Sequence, residues 1–305
     1  MTVETSSSDQ TLRSIGLTVA SVMIFGFQDA VAKILVQDYS PFYIAMMRYW
    51  AFAAVSLYLV SRQAPLRYAF RSRLPGWQIA RGMLLMVDIW LFAFAVKTVP
   101  LGELAAITMI YPLLVTLFAI PLLGEKVGLF RLSAVLAGFA GALIILRPGG
   151  LPYEWGTLFA VATTVVYALY VVATRKVAQA DSTATNMVYV GCVGLVMSSA
   201  VGMFFVQPMD AKGLLLLAVI IVTTITAHGL MMKALSYAPA SVLQPFNYLA
   251  LPWAIVLSVV IFSHLIDPVS LVGAIIITAA GLTVWARERR RKTRPVNPEA
   301  AKPGA

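Results

Sequence analysis

Charge is scarce in this chain. Only 12% of its 305 residues are Asp, Glu, Lys or Arg, while 60% are hydrophobic; a water-soluble domain carries about a quarter charged residues. With a mean hydropathy of +0.85, it could not stay dispersed in water. Cysteine is nearly absent. The single Cys192 sits in an apolar run, which rules out a disulfide framework or a Cys-based zinc site and reads as a small buried hydrophobe. Histidine is limited to His228 and His264. There is no HExxH, no GxSxG and no phosphate-cradling glycine loop with its lysine. No catalytic constellation, metal site or cofactor is called for, and an ATPase within this chain is excluded, so any coupling has to use an ion gradient. The net charge of +10 does not point to nucleic acid. The basic residues lie in short segments between apolar runs, which is the pattern of membrane orientation.

What the chain has in abundance is long apolar runs. A membrane-crossing helix needs roughly 17–25 mostly apolar residues. Runs of that kind lie at about 14–35, 41–60, 78–97, 102–123, 129–146, 156–174, 186–205, 212–232, 241–262 and 268–286. The fold expected is an all-α membrane protein with ten transmembrane helices. The first run carries Asp29 and Lys33, is too long for a signal-peptide core and reads as a retained span. Turn and charge punctuation separates the runs at Tyr39-Ser40-Pro41, Leu74-Pro75-Gly76, Val99-Pro100, Gly124-Glu125-Lys126, Arg147-Pro148-Gly149-Gly150 and Ala238-Pro239. Arg62, Arg67, Arg71, Arg73, Lys126, Arg131, Arg175, Lys176 and the basic tail 287–305 fall on the side of the N-terminus, against Lys97, Arg147 and Lys212 opposite. That bias puts both termini in the cytoplasm. Residues 1–13 and 293–305 are polar or proline-containing and are expected to be disordered.

The sequence repeats itself. Ala95-Val96-Lys97-Thr98-Val99-Pro100 resembles Ala234-Leu235-Ser236-Tyr237-Ala238-Pro239, and each stretch precedes a span with an internal proline, Pro112 or Pro252. The unit is five spans, 14–146 and then 156–286. Five is odd, so the second copy enters the membrane inverted. Inverted repeats suit alternating access to one central site, although duplication could also be a folding convenience. Each proline frees a carbonyl near mid-membrane, which points to a packing kink, a cavity wall or a hinge. The small residues Ala134, Ala137, Gly138, Gly141 and Ala142 of the fifth span, and Gly273, Ala279, Ala280 and Gly281 of the tenth, allow close helix approach. They suit scaffolding or a homodimer contact through these two spans.

Polar groups inside apolar runs are functional candidates, because burying them in lipid is costly. Asp29 and Lys33 are one turn apart and can pair. Arg48 lies about 10 Å deep in the second span, at a level similar to Asp29. An Asp29–Arg48 pair fixing helix register and an Arg48 that holds a substrate carboxylate or phosphate are both open. Asp29 and Asp88, the latter the deepest acid, are candidates for proton coupling, against a helix-linking hydrogen bond for Asp88. Arg81 is expected to snorkel to the surface. His228 could relay protons, meet an aromatic solute or simply pack. Trp90, Tyr111, Tyr167, Tyr170, Gln244, Asn247 and Tyr248 could together form an apolar cavity with polar handles for a flat solute, or singly face lipid.

These residues carry a resemblance. Asp29-Ala30-Val31-Ala32-Lys33, Arg48, Arg81-Gly82, Ala95–Pro100, Tyr111-Pro112, Gly124-Glu125, Ala234–Pro239 and Pro252 together resemble the drug/metabolite transporter superfamily of the EamA type, over about residues 14–286. The resemblance implies a bacterial inner-membrane secondary carrier with a central cavity lined by the first four spans of each half. It looks most like carriers of S-adenosylmethionine and riboflavin, and amino-acid exporters share the outline. Where the family repeats the turn glutamate, the second copy has His264. An intramembrane lipid-modifying enzyme would need acids or histidines gathered at one depth beside a lateral opening, and a channel would need rings of like polar groups. Neither pattern is present in the sequence.

Overall fold

The computed structural model describes residues 4–63, 66–124, 128–146, 154–237 and 243–292. The helices are α1 (Glu4–Asp38), α2 (Pro41–Gln63), α3 (Leu66–Ala69), α4 (Pro75–Thr98), α5 (Leu101–Thr108), α6 (Tyr111–Leu123), α7 (Leu129–Leu146), α8 (Glu154–Ala178), α9 (Thr183–Gly202), α10 (Ala211–Tyr237), α11 (Ala250–Phe262) and α12 (Pro268–Lys292), with 3-10 turns at Met203–Phe205 and Gln244–Leu249. Among the described residues there are no strands. Among the described residues, eight apolar stretches are long enough to cross a membrane, with two shorter ones at Leu132–Leu146 and Phe246–Phe262. The shorter two belong to the fifth and ninth expected spans. The 3-10 turn at Gln244–Leu249 replaces regular α-helix in the first part of the ninth expected span. Helix α1 begins at Glu4, so residues 4–13 are helical rather than disordered. The turn residues Glu125, Lys126, Arg147–Gly150, Ala238 and Pro239, and the stretches 1–3 and 293–305, lie outside the described residues.

The distribution of polarity is that of a protein solvated by lipid. Leu136, Leu143, Val222, Val260 and Ile275 are more than half exposed, while Ser14, Thr18, Ser21, Gln28, Arg81, Asp88, Glu103 and Thr163 are buried. A soluble domain would show the reverse. The buried hydroxyls bond to backbone or to other helices: Ser14 and Ser21 donate to the carbonyls of Ala234 and Ala227, and Thr224 donates to Gln28 Oε1. These bonds join α1 to α10, as buried polar groups in a bilayer require.

The helix pairing has a two-fold pattern. Helix α4 packs on α8 and α1 on α10, so the third span of each half lies against the first span of the other. Likewise α6 packs on α8 and α11 on α1. Second pairs with second (α2 with α9), fourth with fourth (α5 with α11) and fifth with fifth (α7 with α12). Exchanging the halves maps these contacts onto themselves. The turns after the fourth spans also match, because Gly124 (φ 70) and Ser263 (φ 54) both end their helices in the left-handed conformation.

The small residues of the fifth and tenth spans are used within the chain. A Cβ on Gly141 would stand 2.8 Å from the Gly273 carbonyl, and Gly138 lies against Leu113. Gly281 lies against the Tyr248 hydroxyl. Gly141 and Gly273 therefore bring α7 against α12, while Gly138 faces α6 and Gly281 faces the 3-10 turn.

Candidate functional site

Arg48 stands seven residues into α2, half-buried. Its charge acts on Asp29 of α1, Asp88 of α4, Tyr49 of α2 and His228 of α10. Four helices from both halves thus bring titratable groups to one region. The expected direct Asp29–Arg48 pair is not formed. Among the described residues, neither side chain makes a hydrogen bond or an ion pair within contact distance, and Arg48 is not tied to register. Asp88 is buried and accepts a hydrogen bond from Thr163 Oγ1 at 2.5 Å, which links α4 to α8. His228 Nδ1 lies 2.9 Å from the Thr224 carbonyl. A carbonyl only accepts, so Nδ1 carries the proton and Nε2 of the neutral ring is left as an acceptor. The ring is accessible and meets Phe25 and Phe52 edge-on, at 4.9 and 6.0 Å between centroids.

Aromatic rings of the bundle form two further groups. Phe42 of α2 contacts Trp90 (5.2 Å), Phe94 (5.5 Å) and Phe205 (4.8 Å), and Phe94 continues to Phe159. The buried Trp90 Nε1 has no partner among the described residues. In the second group, Tyr111, Tyr167 and Tyr170 form a run with centroid separations of 5.0 and 5.7 Å. Pro112 stands in the first turn of α6, directly after a break at Met109–Ile110, and Pro252 stands at the matching place in α11 after the 3-10 turn. The spans are therefore interrupted before each proline rather than kinked at it, because the first turn of a helix tolerates a missing N–H. Asn247 and Tyr248 lie on that 3-10 turn. The hydroxyl end of Tyr248 is directed at Gly281 of α12, which makes it part of the packing with the tenth span. The side chain of Gln244 lies outside the described residues.

Two polar clusters close the ends of the bundle. At one end Lys33 Nζ donates to the carbonyls of Val96 (2.6 Å) and Val99 (2.8 Å) and stands over the Phe262 ring. It neither pairs with Asp29 nor snorkels outward; it caps the carbonyl end of α4. Beside it, buried Glu103 accepts from the Asp267 N–H (3.3 Å) and lies 3.0 Å from His264 Nε2. The same end holds Tyr39 Oη, which donates to Asp210. At the opposite end Asp181 accepts from Ser72 Oγ, the Arg73 N–H and Gln78 Nε2. Partial desolvation works against ionisation there, but these bonds outweigh it and hold the carboxyl below its usual value. Arg81 does not snorkel. It is buried, and Nη2 donates to the Asn186 carbonyl. Sequence reasoning missed Glu103, Thr163, Phe25, Phe42 and Phe52. Only Glu103 carried a signal, as an acid directly after Pro100-Leu101-Gly102 at the start of an apolar run.

The profile of the EamA-like transporter family matches residues 12–147 and again 154–285. The chain belongs to this family. The two matches coincide with the two halves related by the helix pairing, so this EamA-like transporter is a duplicated unit and a multi-pass membrane protein. It is 28% identical over 263 residues to a riboflavin transporter of Vibrio cholerae, covering 83% of this chain and 86% of that protein. It is 23% identical over 283 residues to an S-adenosylmethionine uptake transporter of Rickettsia felis, covering 93% and 96%. It is 32% identical to the aromatic amino acid exporter YddG of Ancylobacter novellus, over 111 residues covering 34% of this chain and 38% of that protein. A solved crystal structure superposes with a TM-score of 0.61 at 21% identity, over 94% of this chain and 99% of the other, which shows the fold alone. Family membership and the transporter relatives make this a small-molecule transporter.

Proposed function

We propose that this EamA-like transporter is a secondary carrier that takes up a flat, ring-bearing metabolite of the riboflavin or S-adenosylmethionine kind across a bacterial inner membrane, with both termini in the cytoplasm. The observation that carries this reading is Arg48. It is a cation inside the bundle, without a hydrogen-bonded partner among the described residues, whose charge acts on two carboxyl groups and an accessible imidazole. Leaving a guanidinium unpaired at that depth is costly, and a ligand group accepting its fork of N–H donors offsets the cost. The rings of Trp90, Tyr111, Tyr167 and Tyr170 supply stacking surface for a planar solute. The His228 Nε2 acceptor suits a ring N–H or hydroxyl. Asp29 and Asp88 are the groups able to exchange a proton with a gradient, and Pro112 and Pro252 are the hinges of the two broken spans. The riboflavin and S-adenosylmethionine relatives support the solute class, and the uptake named for the Rickettsia felis relative supports the direction.

Thermal unfolding of the purified full chain against riboflavin, S-adenosylmethionine, flavin nucleotides and aromatic amino acids tests the reading. A bound ligand stabilises the folded state by mass action, by about 2.7 kcal/mol at a hundredfold excess over Kd. One ring-bearing metabolite is expected to raise Tm in a concentration-dependent way, and Arg48→Ala is expected to abolish the rise. If only amino acids shift Tm and vesicles extrude them, the exporter reading replaces this one.

A further inference from the structure

Away from the central site, a groove of about 680 Å³ lies between the start of α7 and the end of α12, lined by Phe130, Ala279, Leu282, Thr283, Ala286 and Arg287. We propose that this groove binds one anionic phospholipid, with its phosphate on Arg287 and its upper acyl chain along α12. Ala279, Leu282, Thr283 and Ala286 fall at i, i+3, i+4 and i+7, on one helix face. The two alanines hollow that face, while the Phe130 ring forms the facing wall.

Arg287 closes the groove at its charged end. Its guanidinium carbon stands 3.8 Å from the Phe130 ring centroid. Stacking uses the face of the guanidinium and fixes its plane, leaving the N–H edge for a two-point hydrogen bond to phosphate. Phe130 belongs to the first turn of α7. The first backbone N–H groups of a helix have no acceptor within it, so a phosphate at Arg287 would also meet the positive end of the α7 dipole. In sequence, Arg287 is followed by Glu288 and then by Arg289, Arg290, Arg291 and Lys292, and Arg131 follows Phe130. A cation at the end of a span favours anionic over zwitterionic headgroups by about 1 kcal/mol, and of these cations Arg287 lines the groove.

The lining also selects a lipid over a free anion. Thr283 donates its only hydroxyl hydrogen to the Ala279 carbonyl at 2.7 Å, so the groove below Arg287 offers no donor to an anion. It offers methyl and methylene surface, at the level where α12 passes from its apolar stretch into its basic end. Val272 and Ile275 of the same helix are more than half exposed, so the helix already presents surface for acyl chains.

The test is native mass spectrometry of the full chain released from mixed phosphatidylglycerol and phosphatidylcholine nanodiscs. The parent is expected to retain one phosphatidylglycerol with roughly tenfold preference, equivalent to about 1.4 kcal/mol. Arg287→Gln, which removes the phosphate partner, and Ala286→Trp, which fills the groove without changing charge, should each bring retention near parity. Ala279→Leu fills the same groove deeper and replaces Ala286→Trp should that variant fail to reach the membrane. A triple Arg289→Gln, Arg290→Gln, Arg291→Gln variant should keep most of the preference. Parent-like selectivity in both the charge and the groove variants would overturn the proposal. So would a triple variant as impaired as Arg287→Gln, which would mean a diffuse basic tail, or displacement of the lipid by inorganic phosphate, which would mean a simple anion site. None of these readouts depends on transport.

Discussion

Arg48 and Lys33 are both half-buried cations in the bundle, and their surroundings give them opposite roles. Lys33 has two carbonyls within hydrogen-bond distance and caps α4. Arg48 has acids and an imidazole nearby but none in contact, so its donors are available to a solute. Arg48→Gln should weaken solute binding by roughly 1.5–3 kcal/mol, the worth of hydrogen bonds to a charged group, which is about a 10- to 100-fold rise in the half-saturating concentration of uptake. Arg48→Lys keeps the charge but loses the planar fork and should fall between. Equal uptake by parent and Arg48→Gln at matched membrane levels would remove Arg48 from the site. Asp181 gives a pH prediction at this scale. Its folded-state value lies below that of the unfolded chain, so its contribution is present above the ordinary carboxyl value of about 3.9 and is lost as pH falls through the lower folded value. Asp181→Asn should lower Tm by a few degrees at pH 7, and the gap to the parent should close below about pH 4. A gap that persists in acid would assign the effect to lost geometry rather than to charge.

Among the elements, the helices were legible in the sequence and their faces were not. The apolar runs placed α7 at 129–146 and α2 from residue 41, because hydropathy reports lipid exposure directly. The N-terminal extension of α1 was missed because its polar residues 4–13 carry no apolar pattern, even though helical backbone continues through them. The partners of Lys33, Arg81 and Glu103 were also hidden, since they depend on which carbonyl or side chain a distant helix presents. The glycine faces were seen but their partner was not, because small residues license close approach without naming the neighbour. With that neighbour known, Gly141→Ala should cost about 1–3 kcal/mol, an overpacking penalty, since its Cβ would press on the Gly273 backbone. The matched helix ends give a prediction of opposite sign. Ser263 holds φ 54, where Gly124 holds φ 70 in the other half. A side chain in that conformation costs roughly 1–2 kcal/mol, part of which glycine's extra unfolded-state entropy offsets. Ser263→Gly should therefore raise Tm by a degree or two in detergent unfolding, and Gly124→Ser should lower it.

For the whole molecule, the two-fold pairing of helices extends to the loops: Tyr39–Asp210 at one end, and Asp181 with Ser72 and Arg73 at the other, each join the turn after a first span to the turn before a third span. At the end holding Tyr39, Glu103 and His264, Lys33 reaches across to the carbonyls of α4. Near the end of the first span of the other half, Lys176 reaches the Leu122 carbonyl at 3.3 Å and stands over Trp77. Alternating access requires two halves of like fold to exchange local arrangements, which opens a central site to the other face. The bond between Glu103 and His264 joins the fourth span of one half to the turn after the ninth, so that end cannot part while it holds. In a Cys192→Ser background, cysteines replacing Glu103 and His264 and joined by a short reducible cross-linker should arrest uptake, and reduction should restore it. The same cross-link should leave binding of the solute intact when measured from the opposite face, because Arg48, Asp29 and Asp88 lie deeper in the bundle. Uptake that continues at the parental rate in the cross-linked protein would mean that this end does not separate during the cycle. The entry route would then have to lie elsewhere, between helices rather than through the ends of the two halves.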